Sequence, residues 1–267
     1  MNIAVAVVHG IGRQKKTYAD EFIKSIEKTY SSKTGEDNLV FESICWQDAI
    51  EPLEIDLYEK VKTLGYSNIR DLLIGYAGDA ICYQPSKPKG IFYDLVHRSI
   101  DFGLSSLALR AGPNAPLFII SHSLGTVVMS NFLWDVKHNQ NSALSKETEE
   151  IIDRLEVFYT MGSPLSIWSL RFPSGGEPIS IKRTSYWYNL YSRNDVISSP
   201  LKIINQHYSI MPNLFDVEMR VGGILTSWNP LSHNDYWTSK PVINHICTNL
   251  KRVNSFYKMM EVKKCTL

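Results

Sequence analysis

The 267-residue chain predicts a three-layer α/β fold with a mostly parallel sheet, and two patterns carry that expectation. Continuous apolar, β-branched runs such as "IAVAVV" (3–8) and "LFIIS" (117–121) suit strands buried on both faces. Stretches with helical apolar periodicity alternate with these runs, as in a sheet covered by helices on both sides. The length is enough for one large domain with a substantial core, 1–267, and 44% hydrophobic residues are enough to fill it.

Taken in order, the first run ends at Gly10. Thr17 and Asp20 then form a capping-box-like pair, and Ala19, Phe22, Ile23, Ile26 and Tyr30 fall on one helical face. "LVFESICW" (39–46) reads as the next strand. The stretch from about 47 to 115 is too long for one crossover. Its later part, "IFYDLVHRSIDFGLSSLAL" (91–109), supplies the ordinary helix before the strand at 117–121. Its earlier part, 47–90, reads as a helical insertion and a candidate lid, rich in Leu, Ile and Tyr. The strand at 117–121 runs into an apolar helix from Leu124 to Trp134. "EVFYTM" (156–161), "SYWYNLYS" (185–192) and "FDVEMRV" (215–221) bring the sheet to about six strands, the last at an edge. Val242, Ile246, Leu250 and Val253 mark a C-terminal amphipathic helix.

Composition narrows the partners. With 28 basic and 27 acidic residues, the net charge of +1 makes no electrostatic case for nucleic acid or an anionic membrane surface. Cys45, Cys82, Cys247 and Cys265 are scattered, with no CxxC or Cys/His pair at metal-ligand spacing. No carboxylate/histidine cluster argues for a metal, so neither metal nor cofactor is expected. The N-terminus "MNIAVAVVHGIG" lacks a basic n-region, and its apolar run is short for a signal peptide. No stretch approaches the length of a transmembrane helix. The expectation is a soluble cytoplasmic protein without an integral membrane segment, although secretion without a cleaved signal would leave no trace here. Oligomeric state is not encoded legibly.

The segment "FIISHSLGTVV" (118–128) carries the chemistry. A strand ends at Ser121 and a helix begins near Leu124, so His122 and Ser123 occupy a sharp turn. Such a turn strains its middle residue and lifts that side chain above the sheet edge. Small residues at Ser121 and Gly125 let neighbouring backbones approach. The helix N-terminus aims N–H groups at the same point, where they would favour an oxyanion. A serine that merely caps a buried helix is the plainer alternative.

This pattern resembles the nucleophile elbow of the α/β-hydrolase superfamily, Gly-x-Ser-x-Gly, with Ser121 in the first glycine position. "VVHGIG" (7–12) lies between the first strand and first helix, where lipase- and esterase-like members carry an oxyanion loop. The resemblance implies that the backbone N–H groups of Leu124 and Ile11 hold the oxyanion, with His9 orienting the loop. It further implies an order of Ser, then Asp or Glu, then His. Asp195 in "NLYSRNDVISSP" follows a late strand and is the expected acid. The loop after 156–161, "TMGSPLSIW", has no carboxylate. His233 in "NPLSHNDYW", eight residues before Pro241, is the expected base, and Asp235 is the fallback acid. His97, His138, His207 and His245 fit the base position less well, and the His122 side chain is expected to point away from the Ser123 hydroxyl. Arg13 and Asp79 stay outside the catalytic set.

The resemblance covers the chain from Ile3 to the last helix, apart from the insertion. It implies a serine hydrolase that cleaves a carboxylic ester, with a lipophilic group suggested by the apolar insertion, and a small-molecule ester or lipid-like compound as its partner. Acyl transfer or thioester hydrolysis by the same residues, or a non-catalytic binding protein on this fold, remain the alternatives.

Overall fold

The computed structural model describes residues 1–11, 15, 17–64, 74, 78–84, 90–140, 144–179, 182, 184–222 and 230–265. Six parallel strands form one sheet: β1 (Ile3–Val8), β2 (Leu39–Ile44), β3 (Leu117–His122), β4 (Leu155–Met161), β5 (Tyr186–Tyr191) and β6 (Leu214–Glu218), in the order β2-β1-β3-β4-β5-β6. This is the fold class expected from the sequence. β6 lies at an edge of the sheet.

Side chains alternate across each strand, so β1 feeds two cores at once. Ile3, Val5 and Val7 meet Phe22, Ile26 and Tyr30 of α1 (Asp20–Thr34) and Val242, Ile246 and Leu250 of α8 (Lys240–Cys265). Ala4, Ala6 and Val8 meet Val96, Ile100 and Leu104 of α3 (Ile91–Ala111) and Val127 and Val128 of α4 (Leu124–Lys137). All six residues of β1 are fully buried, which explains why the run is continuous rather than alternating. Shorter helices among the described residues include α2 (Glu51–Val61), α5 (Lys146–Ile152), α6 (Leu165–Trp168) and α7 (Gln206–Ser209).

One boundary differs from expectation. Asp20 is the first residue of α1 and Ala19 its cap, with no side-chain capping bond. Thr17 contributes its carbonyl to the Asp20 N–H at 3.2 Å, so the pair closes a turn and not a capping box. α8 begins one residue before Pro241, where a missing N–H costs nothing because the first turn has no acceptor for it.

Within the segment 47–90, expected as a helical insertion, α2 and residues 78–82 are helical, and Ile50 and Tyr83 lie in the core. Leu72 and Leu73, which belong to the candidate lid, lie outside the described residues, as do Gly12 and Arg13. Among the described residues, no helix is long and apolar enough to cross a membrane.

The strand order reverses between β1 and β3. Their crossovers leave in opposite directions, so a crevice opens beyond the C-terminal ends of these two strands. "HG" follows β1 and "SL" follows β3. The topology alone therefore brings the two motifs together.

Candidate active site

Ser123 sits between β3 and α4 with φ 51° and ψ −131°, a conformation that few non-glycine residues adopt. Hydrogen bonds hold it on both sides. Its N–H donates to the Met161 carbonyl at 3.0 Å, and its carbonyl accepts from the Thr126 N–H at 2.9 Å and hydroxyl at 2.7 Å. The Ser121 hydroxyl, at the position where the family pattern has glycine, donates to the Tyr159 carbonyl at 2.8 Å. That side chain is accommodated by bonding across to β4.

Two glycines set how closely the β1 and β3 loops approach. A Cβ on Gly125 would stand 2.1 Å from the His9 carbonyl oxygen, and one on Gly10 would stand 2.5 Å from the Ser123 Cβ. Any side chain at either position would push the two loops apart.

His9 secures the first loop. Its Nδ1–H donates to the Gly10 carbonyl at 2.8 Å, so Nε2 accepts from the Trp46 N–H at 3.3 Å. Trp46 returns its indole N–H to the His9 carbonyl at 2.9 Å and stacks on the imidazole, with ring centres 5.3 Å apart. Burial pushes the His9 pKa down to about 4, so the ring is neutral at pH 7. The Leu124 N–H belongs to the first residue of α4 and has no acceptor within the helix. Ile11 follows Gly10 and lines the same cavity as Ser123.

The third component comes from the 3₁₀ turn Pro230–Trp237. His233 Nε2 lies 2.7 Å from Ser123 Oγ, and His233 Nδ1 lies 3.0 Å from Asp195 Oδ2. A carboxylate can only accept, so Nδ1 carries the proton and Nε2 accepts from the serine hydroxyl. Asp195 follows β5 and is 2% exposed. Burial alone would raise its pKa. The hydrogen bond and charge of His233, the Ile197 N–H on Oδ1 at 3.0 Å and the nearby Ser198 hydroxyl outweigh burial and hold it below the usual carboxylate value. The fold thus brings Ser123, His233 and Asp195 into one hydrogen-bonded chain. The imidazole turns to Asp195 and not to Asp235.

Two residues outside the expected set also belong to the site. Tyr236 donates its hydroxyl to Asp195 Oδ2 at 3.1 Å. Its spacing was a usable signal, because residues three apart on a 3₁₀ turn eclipse one another, so Tyr236 had to face the same way as His233. His122 donates Nε2–H to the His233 carbonyl at 2.7 Å, and the two rings lie 4.8 Å apart. Burial, aided by the nearby His233, lowers the His122 pKa to about 3. A neutral His122 adds no positive charge beside the His233 ring.

Ser123 and His233 open onto a cavity of about 320 Å³. Ile11, Phe22 and Trp237 form an apolar wall, and Glu21, Asn234 and Thr238 contribute polar groups. None of the described residues of 47–90 lines it.

No family model and no curated protein matches the chain. Among solved structures it is similar to an acetyl xylan esterase, solved as an iodinated complex, at 12% identity over 94% of this chain and 99% of that one, with a TM-score of 0.41. It is also similar to a protein from Xanthomonas campestris pv. campestris described as a hydrolase of the alpha/beta superfamily, at 11% identity over 88% and 95% of the two chains, with a TM-score of 0.37. Likenesses this distant do not bear on activity.

Proposed function

We propose that the chain is a serine hydrolase that cleaves carboxylic esters through an acyl-enzyme. The observation that carries this reading is the continuous chain from the strained Ser123 through His233 to the buried Asp195, at 2.7 and 3.0 Å. An isolated serine hydroxyl is a weak nucleophile, and this arrangement gives it a base whose tautomer is held by a third group. Ser123 Oγ attacks the ester carbonyl as its proton passes to His233 Nε2. The N–H groups of Leu124 and Ile11 donate hydrogen bonds to the carbonyl oxygen as its negative charge develops. Collapse of the tetrahedral adduct expels the alkoxide, which takes the proton from His233. Water then attacks the acyl-enzyme with His233 again as base, and the acid leaves. No external cofactor enters this sequence.

The direct test is hydrolysis of p-nitrophenyl acetate and butyrate by the purified chain. Saturable, enzyme-dependent release of p-nitrophenol supports the reading, and a rate no higher than that of buffer contradicts it. Tyr236→Phe is expected to lower kcat by roughly tenfold, the cost of one hydrogen bond to a charged acceptor, with KM little changed.

The apolar wall of Ile11, Phe22 and Trp237 favours an acyl group of moderate length. Each buried methylene contributes about 0.8 kcal/mol, so two added carbons are expected to raise kcat/KM by roughly tenfold until the cavity is full. The series from acetyl to hexanoyl should rise accordingly, and Trp237→Ala should flatten it. A preference for acetyl throughout the series would contradict the lipophilic assignment while leaving ester hydrolysis standing.

A further inference from the structure

His122 and Ser123 are consecutive, and both side chains reach residue 233. The Ser123 hydroxyl bonds to the His233 ring at Nε2, and the His122 ring bonds to the His233 carbonyl oxygen, each at 2.7 Å. A carbonyl oxygen only accepts, so His122 Nε2 carries a proton and donates it. His122 is 2% exposed, so this bond forms away from water, where it is electrostatically stronger. Its ring centre also lies 5.8 Å from that of Tyr236 and 5.2 Å from that of Trp237, on the same turn as His233. The elbow after β3 therefore holds the turn Pro230–Trp237 at two points, one on the reacting ring and one on the main chain.

These two bonds fare differently during ester hydrolysis. In the free enzyme the His233 ring is held at Nδ1 by Asp195 and at Nε2 by Ser123. Once Ser123 is acylated, Oγ is an ester oxygen with no proton to donate. Nε2 then loses that partner, and a ring held at Nδ1 alone can pivot about the remaining bond. The bond from His122 persists, because acylation alters neither of its atoms. Deacylation needs the ring in place at this stage. The oxygen of water bonds to the acyl carbon while its proton passes to Nε2. The bond from that carbon to Oγ then breaks, and Oγ takes the proton back from Nε2.

We infer, on the ester-hydrolysis reading, that His122 is a positioning residue for deacylation, holding His233 in place while Ser123 carries the acyl group. A bond that only supported the fold would matter equally in both halves of the reaction.

The test is stopped-flow release of p-nitrophenol from p-nitrophenyl butyrate, in which the burst reports acylation and the steady phase deacylation. His122→Phe keeps an aromatic ring and loses the donor. Deacylation should slow by roughly tenfold and acylation by about twofold, the upper and lower reach of one net hydrogen bond. On that expectation kcat and KM fall together, while kcat/KM changes only with acylation. His122→Gln offers an amide N–H to the same carbonyl and should restore most of the parental deacylation rate. His122→Asn, whose shorter amide falls short of that carbonyl, should behave as His122→Phe does, and it replaces that variant if circular dichroism shows the phenylalanine protein to be unfolded. Equal slowing of both phases, an unchanged deacylation rate without the donor, or a glutamine variant as slow as the donor-free ones would each overturn the inference. A parent chain that is never acylated would instead contradict ester hydrolysis itself, and the role of His122 with it.

Discussion

Ser123→Ala is expected to remove ester turnover by roughly 10⁶ in kcat while the fold persists. The loss follows from the chemistry, because the Ser123 hydroxyl is the group bonded to the His233 Nε2 proton acceptor, at 2.7 Å. Residual catalysis from the Leu124 and Ile11 N–H groups would remain roughly 10³- to 10⁴-fold above that of water. Stability should change little. Alanine at φ 51° carries a backbone strain similar to that of serine, and the bonds holding residue 123 run through its N–H and carbonyl. Rates on p-nitrophenyl butyrate and thermal melting of the two proteins check both halves. A near-parental rate would place the chemistry at another residue.

Asp195→Asn is expected to lower kcat by roughly 10⁴. The Ile197 N–H already donates to one oxygen of residue 195, and Tyr236 and His233 both donate to the other. An asparagine that keeps its carbonyl toward Ile197 must turn its NH₂ toward the imidazole. Nδ1 then has to accept, the ring proton moves to Nε2, and Nε2 can no longer take the serine proton. Asp235→Asn leaves these bonds in place and should retain close to parental kcat. If the two effects were reversed, the imidazole would be oriented by Asp235.

Much of this was legible in the sequence because it depends on local rules. Continuous β-branched runs marked the buried strands, and glycines beside "HG" and "SL" marked two loops that the strand order must bring together. Asp195 and His233 were expected from the order of Ser, then Asp or Glu, then His that the resemblance to the α/β-hydrolase superfamily implies. Contacts across the fold were harder to read. Nothing local in "SHSLG" shows that His122 reaches the carbonyl of residue 233, more than a hundred positions away. The bond from Trp46 to His9 depends on the neighbouring register of β1 and β2. The Thr17–Asp20 pair matched a capping pattern, yet the helix began at Asp20 itself, because a backbone turn had already taken the Asp20 N–H.

The central claim is that Ser123 is an activated nucleophile, and covalent labelling tests it most directly. The purified chain would be treated with a fluorophosphonate and its peptides examined by mass spectrometry. The account predicts one adduct, on the peptide containing Ser123, with no adduct in Ser123→Ala and much slower labelling in Asp195→Asn. An unlabelled chain, or an adduct on any other residue, would contradict it.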